Sequence, residues 1–305
     1  LEIPLYSKNR DFIPPNIQSG DLKTAIDRVI HFAITYPEVE KSKGTIVILE
    51  SYTHTLEKYF LLMNEVSKRG FHTAIFDWFF REKSSFRKMK KNRYQYFNIN
   101  NNINDLSEFF NNIVYFNCPP PYYMLTYGIG GLIALSGIDI INHKFNKMLC
   151  VSPLFSPFGN KINNFQHKLT QLLSDIGLGF IPAQSGKNFK KIKQKNRPLS
   201  SVNNIHSSLI TPPTSRWMAS TLNTVASMKR NILQGYLKIP TLFILANQNN
   251  IVNNIEARQL CQQTRLIDSI TITGAELDTI MYEENYKKEF WAAFDAFIAN
   301  NVSVQ

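Results

Sequence analysis

Short apolar runs and amphipathic stretches take turns along most of the chain, and that rhythm sets the expected elements. Gly44–Glu50 (GTIVILE), Phe71–Phe76 (FHTAIF), Pro121–Thr126 (PYYMLT), Lys147–Ser152 (KMLCVS) and Pro240–Ala246 (PTLFILA) are apolar runs bounded by glycine, proline or polar residues, which predicts buried strands. Arg28 to Thr35 predicts an earlier strand and Asp268 to Ile272 a final one. Between them, Leu56 to Lys68 sets Leu56, Phe60, Leu61 and Val66 at helical spacing. Asp105 to Val114, Gly130 to about Ile141, Ile255 to Cys261 and Glu284 to Ala299 are further helices. Buried strands alternating with helices are the pattern of an α/β fold: a mostly parallel central sheet flanked by helices.

The alternation stops after Pro153 and resumes at Pro240. The interval carries helical signals of its own, at His167 to Ile176 and Arg216 to Leu233. It is expected to be an inserted helical cap over the carboxyl edge of the sheet, where ligands bind in such folds. The expected division is therefore a core in two parts, 1–154 and 237–305, with the cap at 155–236. No internal repeat is apparent.

One junction bears on chemistry. In Met124–Leu135 (MLTYGIGGLIAL) an apolar run enters a glycine turn and a helix starts at once. That is the setting in which the pattern G-x-S-x-G presents a serine nucleophile. Here the serine's place is held by Gly128, which has no side chain. Three other stretches belong with it: TIVILESYTHTLEKYF (Thr45 to Phe60), AIFDWFFREKS (Ala74 to Ser84) and GAELDTIMYEENYKKEFWAAFDAFI (Gly274 to Ile298).

Taken in order, these four stretches resemble the lysophospholipase and monoacylglycerol-lipase-like (serine aminopeptidase-type) branch of the α/β-hydrolase superfamily, over nearly the whole chain and most weakly in the cap. The resemblance implies the α/β-hydrolase fold and acyl transfer. A serine attacks an ester carbonyl, a histidine takes its proton, an acid orients the histidine, and backbone N–H groups hold the oxyanion. Carried over position by position, the nucleophile falls on Gly128, the acid on Asn249 in Asn247–Asn253, and the histidine on Leu277. The oxyanion donors would be the N–H groups of Tyr52 and Ile129. The oxyanion-loop glycine reads Ser51, and its polar neighbours read Tyr52 and His54. Asp77, Trp78 and Ser84 match the family's Asp-Trp loop, whose glycines read Phe80 and Glu82.

The histidine's absence needs no alignment. The six histidines are His31, His54, His72, His143, His167 and His206, so none follows the last strand, where the base belongs. Tyr127 has a phenol too weakly acidic to replace the serine at neutral pH. With three triad members gone from separate segments, the expected function is a catalytically inactive homologue that retains a lipid or acyl ligand. Ser51, His54, Gly130 and Trp217 are its candidate contacts, beneath an apolar cap. Two alternatives stand beside this reading. One is an active ester hydrolase with a non-standard site, for which His54, Asp77 and Ser84 are the available groups. The other is a decaying gene product with no selected activity.

Composition adds a partner and a compartment. The chain carries a net charge of +11, much of it in Arg81–Arg93 and Lys187–Arg197. Such clusters suit weak peripheral contact with an anionic membrane; no nucleic acid partner is expected. Asparagine runs at Asn98–Asn104 and Asn247–Asn250 read as drift at solvated positions. Three widely spaced cysteines, Cys118, Cys150 and Cys261, argue against a disulfide framework and a zinc site and for a reducing compartment. No metal or other cofactor is expected. Leu1–Arg10 lacks the apolar centre of a secretory signal, and no apolar run is long enough to span a bilayer. A cytoplasmic protein, peripheral to the inner face of the membrane, is the expectation. The sequence sets no oligomeric state.

Overall fold

The computed structural model describes residues 13–26, 28–39, 41–51, 56–78, 98–155, 164–183, 213–247, 254–277 and 279–298. Within them lies one eight-stranded sheet: β1 (Ile17–Lys23), β2 (Val29–Thr35), β3 (Thr45–Leu49), β4 (His72–Phe76), β5 (Tyr122–Tyr127), β6 (Lys147–Val151), β7 (Thr241–Ala246) and β8 (Ile267–Ile272). The spatial order is β1-β2-β4-β3-β5-β6-β7-β8. β1, β2 and β4 pair antiparallel in turn; every pairing from β4 through β3 to β8 is parallel.

Parallel strands need helical crossovers, so both faces of the sheet are covered and its central strands are apolar throughout. Side chains alternate between the faces. On one face Val47, Leu49, Met124, Cys150, Phe243 and Leu245 meet α2 (Ile99–Phe109), α3 (Ile129–Ser136), α4 (Ile138–Lys144), α6 (Ser215–Leu233) and α7 (Asn254–Gln263). On the other, Ile46, Ile48, Leu125, Leu149, Val151 and Ile244 meet α1 (Phe60–Lys68) and α8 (Glu284–Ile298). In the cap interval, α5 (Asn164–Asp175) packs on α6, and α6 packs in turn on α3 and α7.

Three expectations are corrected. β1 is a strand that the apolar pattern does not announce; its residues are polar or half-exposed, and seven register pairs with β2 hold it. The helix expected from Asp105 starts at Ile99, inside the asparagine run read as drift. The Asn98 side chain accepts hydrogen bonds from the N–H groups of Asn100 and Asn101, at 2.9 and 3.2 Å, which makes it the helix cap. The helix expected from Gly130 to Ile141 is two, α3 and α4, meeting at Gly137, whose N–H closes onto the Ile133 and Ala134 carbonyls.

An internal ion pair ties the amino-terminal hairpin to this frame. Arg28 Nη1 lies 2.7 Å from Oδ2 of Asp105, a fully buried carboxylate on α2. Arg28 Nη2 donates to the Trp78 carbonyl at 3.1 Å, just past β4.

Candidate functional site

β5 ends at Tyr127, and Gly128 turns the chain directly into α3 at the carboxyl edge of the sheet. Gly128 has φ 53° and ψ −113°, a left-handed backbone that glycine adopts without the strain a side chain would bring. Its N–H donates to the Val151 carbonyl at 3.0 Å, and its own carbonyl accepts from Gly131 and Leu154 at 3.2 and 3.0 Å. The turn keeps the shape of a nucleophile elbow and lacks the hydroxyl.

Gly130 persists for a different reason. A Cβ there would stand 2.6 Å from the Leu49 carbonyl oxygen and 2.9 Å from that of Glu50. Only glycine lets α3 start so close to the end of β3. This part of the motif serves packing and carries no evidence of catalysis.

Two side chains close on Gly128. A Cβ built on it would lie 3.1 Å from Ser51 Oγ and 3.4 Å from Leu277 Cδ2. Ser51 and Leu277 are each 7% exposed. Gly128 and Leu277, which the sequence reading paired, thus lie side by side. Ile129, the first residue of α3, is buried beside them. Trp217 lies on the face of α6 that joins the core, with its N–H donated to Thr214 Oγ1 at 3.2 Å. Tyr52, His54, Ser84, Asn249 and both basic clusters lie outside the described residues.

Phenols and a thioether fill the floor. The Ser51 N–H donates to the Tyr59 hydroxyl at 2.8 Å, the Tyr59 and Tyr127 rings sit 5.4 Å apart, and the Tyr127 hydroxyl donates to Met281 Sδ. Burial pushes both phenols well above the ordinary tyrosine range, and the Glu50 carboxylate adds to the effect at Tyr59. Neither supplies a base at neutral pH. The apolar spacing around Leu56 and Phe60 makes Tyr59 look like plain helix core, and sequence pattern has no signal for Met281 at the site. Glu50 Oε1 accepts from the Trp78 N–H at 3.4 Å, and the Trp78 indole donates to the Glu50 carbonyl at 3.1 Å. Asp77 is buried at the end of β4, its N–H donated to the His31 carbonyl.

Two buried thiols are poor nucleophiles. Burial pushes the Cys118 and Cys150 thiols up to about 12, so neither is a thiolate at neutral pH. Among the described residues no group of three or more His, Cys, Asp or Glu is placed to hold a metal ion, and no helix is long and apolar enough to cross a membrane.

This strand order, with an elbow between β5 and the helix after it, defines the α/β-hydrolase fold. The family model described as serine aminopeptidase, S33, matches residues 40–273, and the chain belongs to that family. Among solved structures it is similar to a thermostable carboxyl esterase from Bacillus coagulans, at 12% identity and a TM-score of 0.67 over 94% of this chain and 99% of that one. It is also similar to a monoacylglycerol lipase from Paleococcus ferrophilus, at 14% identity and a TM-score of 0.63 over 93% and 99%. A soluble variant of monoglyceride lipase from Saccharomyces cerevisiae matches at 13% identity and a TM-score of 0.61 over 99% and 100%. At these identities the likeness is one of fold. No curated protein matches the chain.

Proposed function

We propose that the chain is a lysophospholipase- and monoacylglycerol-lipase-like hydrolase homologue that has lost ester hydrolysis and keeps a site for a single-chain lipid or acyl ligand. The observation that carries the proposal is the pairing at the elbow: a residue without a hydroxyl, Gly128, faces Leu277, which cannot take a proton. Asn249 at the acid position, read from the sequence, completes the loss. Triad members act as a unit, so what is left is the modest effect of binding and of the oxyanion donors. The lipases and esterases that share the fold support a lipid as ligand class. Purified protein should release fatty acid from monoacylglycerols and lysophospholipids no faster than buffer does. Turnover above that background, lost on no known triad substitution, would favour the alternative of a non-standard hydrolytic site.

The same reading includes weak peripheral contact with an anionic membrane, inward of the cytoplasmic leaflet, supported by the clusters Arg81–Arg93 and Lys187–Arg197. Each basic side chain near an anionic surface contributes ~1 kcal/mol, and salt screens it. Binding to phosphatidylserine-containing vesicles should be measurable at low ionic strength and nearly lost at high. Replacing Lys187, Lys190, Lys191, Lys193 and Lys195 with Gln should weaken it. Equal binding to neutral and anionic vesicles would show that the charge is only a solvated face.

A further inference from the structure

We infer that the outward apolar stripe of α5, continued by Phe180, enters the bilayer when the protein meets an anionic membrane. The inference rests on the proposed peripheral contact and adds the face that makes it.

α5 is oriented against the usual rule. An amphipathic surface helix buries its apolar stripe and turns its polar face to water. Here Thr170 is buried, with Leu173 and Ser174 half-buried, in a helix that packs on α6. Leu169, Leu172 and Ile176, at the i, i+3 and i+7 spacing of one helix face, are 43, 56 and 58% exposed. Ile176 is held in helical register, its N–H donated to the Leu172 carbonyl at 3.1 Å.

The stripe goes on past the helix. Leu178 and Phe180 are also exposed, in a turn anchored to the start of α6. The Arg216 N–H donates to the Gly179 carbonyl at 2.9 Å, and the Ser215 N–H to the Ile181 carbonyl at 2.8 Å. Among the described residues no other short stretch exposes as many large apolar side chains. An exposed apolar patch of this kind marks a surface that meets something apolar.

Charge decides what it meets. A net charge of +11 opposes a second copy of the chain and favours an anionic surface. In sequence the stripe is followed closely by Lys187, Lys190, Lys191, Lys193 and Lys195. On α5 itself Lys168 is exposed, and Asp175 is the one acidic residue. A bilayer interface also accepts a convex stripe without a complementary groove, as it does for interfacial helices. The side chains are already partly covered by the protein, so their insertion adds to an attachment that charge begins.

The test uses phosphatidylcholine vesicles with and without phosphatidylserine, at low ionic strength. Trp78, Trp217 and Trp291 are buried, so in Phe180→Trp the added indole is the one that lipid can reach. On phosphatidylserine-containing vesicles its emission should shift to the blue, and brominated acyl chains should quench it. Leu172→Ser/Ile176→Ser, at exposed positions and with an unchanged melting transition, should bind these vesicles about tenfold more weakly. Vesicle binding with an unquenched indole and no loss in the double variant would overturn the insertion while leaving the electrostatic contact in place. An indole shielded from iodide without vesicles would overturn it too, by showing the stripe covered by the chain itself. So would a concentration-dependent dimer abolished in the double variant, which would assign the stripe to a second copy. No binding of the natural chain at low ionic strength would remove both the insertion and the membrane contact beneath it.

Discussion

The variant Gly128→Ser/Asn249→Asp/Leu277→His/Ser51→Gly should hydrolyse short-chain esters on the order of a thousandfold faster than the natural chain, whereas each single change should do almost nothing. The non-additivity follows from the chemistry: a serine without a base stays protonated, and a base without a nucleophile has no proton to take. The fourth change comes from the structure. A serine Cβ at position 128 would sit 3.1 Å from Ser51 Oγ, tight enough to displace the new hydroxyl or trap it in a hydrogen bond with Ser51. Leu277 Cδ2, at 3.4 Å, offers ordinary contact and is itself replaced by the histidine. The turn's φ of 53° costs a serine on the order of 1–3 kcal/mol, which the folded frame has to absorb. The triple variant that keeps Ser51 should therefore gain less than the quadruple one. A folded quadruple variant with no gain would mean that these positions do not form a triad geometry.

Arg28→Met should cost about 3–5 kcal/mol of stability at pH 7.5 and much less at pH 5. Asp105 is fully buried, and burial raises its carboxyl from 3.8 to about 6; Arg28 opposes the rise and Glu108 adds to it. The folded state thus holds this proton more tightly than the unfolded chain does. Stability from this group is full below about pH 4 and is lost as pH rises through about 6, on the order of 3 kcal/mol for a shift of about two units. At pH 7.5 the carboxylate is charged and Arg28 is the cation beside it, so its removal leaves a buried charge uncompensated. At pH 5 the carboxyl is largely protonated and needs no cation. Urea unfolding at the two pH values measures the difference, and Asp105→Asn should abolish it. Equal losses at both pH values would contradict the assignment.

How far the sequence could be read depends on what holds each part in place. β3, β5, β6 and β7 are covered on both faces, so their apolar runs announce them. β1 is held by its ladder to β2 with little burial, and a sequence pattern records burial rather than hydrogen bonds. The start of α2 is hidden for a related reason. Asparagine is a poor helix former and a good cap, and composition alone does not say which role Asn98 takes.

At the site, the glycine turn and the Gly274–Ala275 turn are local motifs, so the approach of Gly128 and Leu277 was legible once the four stretches were aligned. The direction of the Ser51 hydroxyl, and the seating of Tyr59 and Met281 beneath it, depend on how β3, α1 and the segment before α8 pack together. No single stretch encodes that. Gly130 shows the converse: a residue that belongs to a catalytic motif is required here by the carbonyls of Leu49 and Glu50 alone.

Loss of the acyl-transfer centre is tested most directly by treating the natural chain and the quadruple variant side by side with a fluorophosphonate and mapping the adduct by mass spectrometry. The natural chain should remain unlabelled and the variant should be labelled at position 128. Stoichiometric labelling of the natural chain, at any residue, would contradict the account.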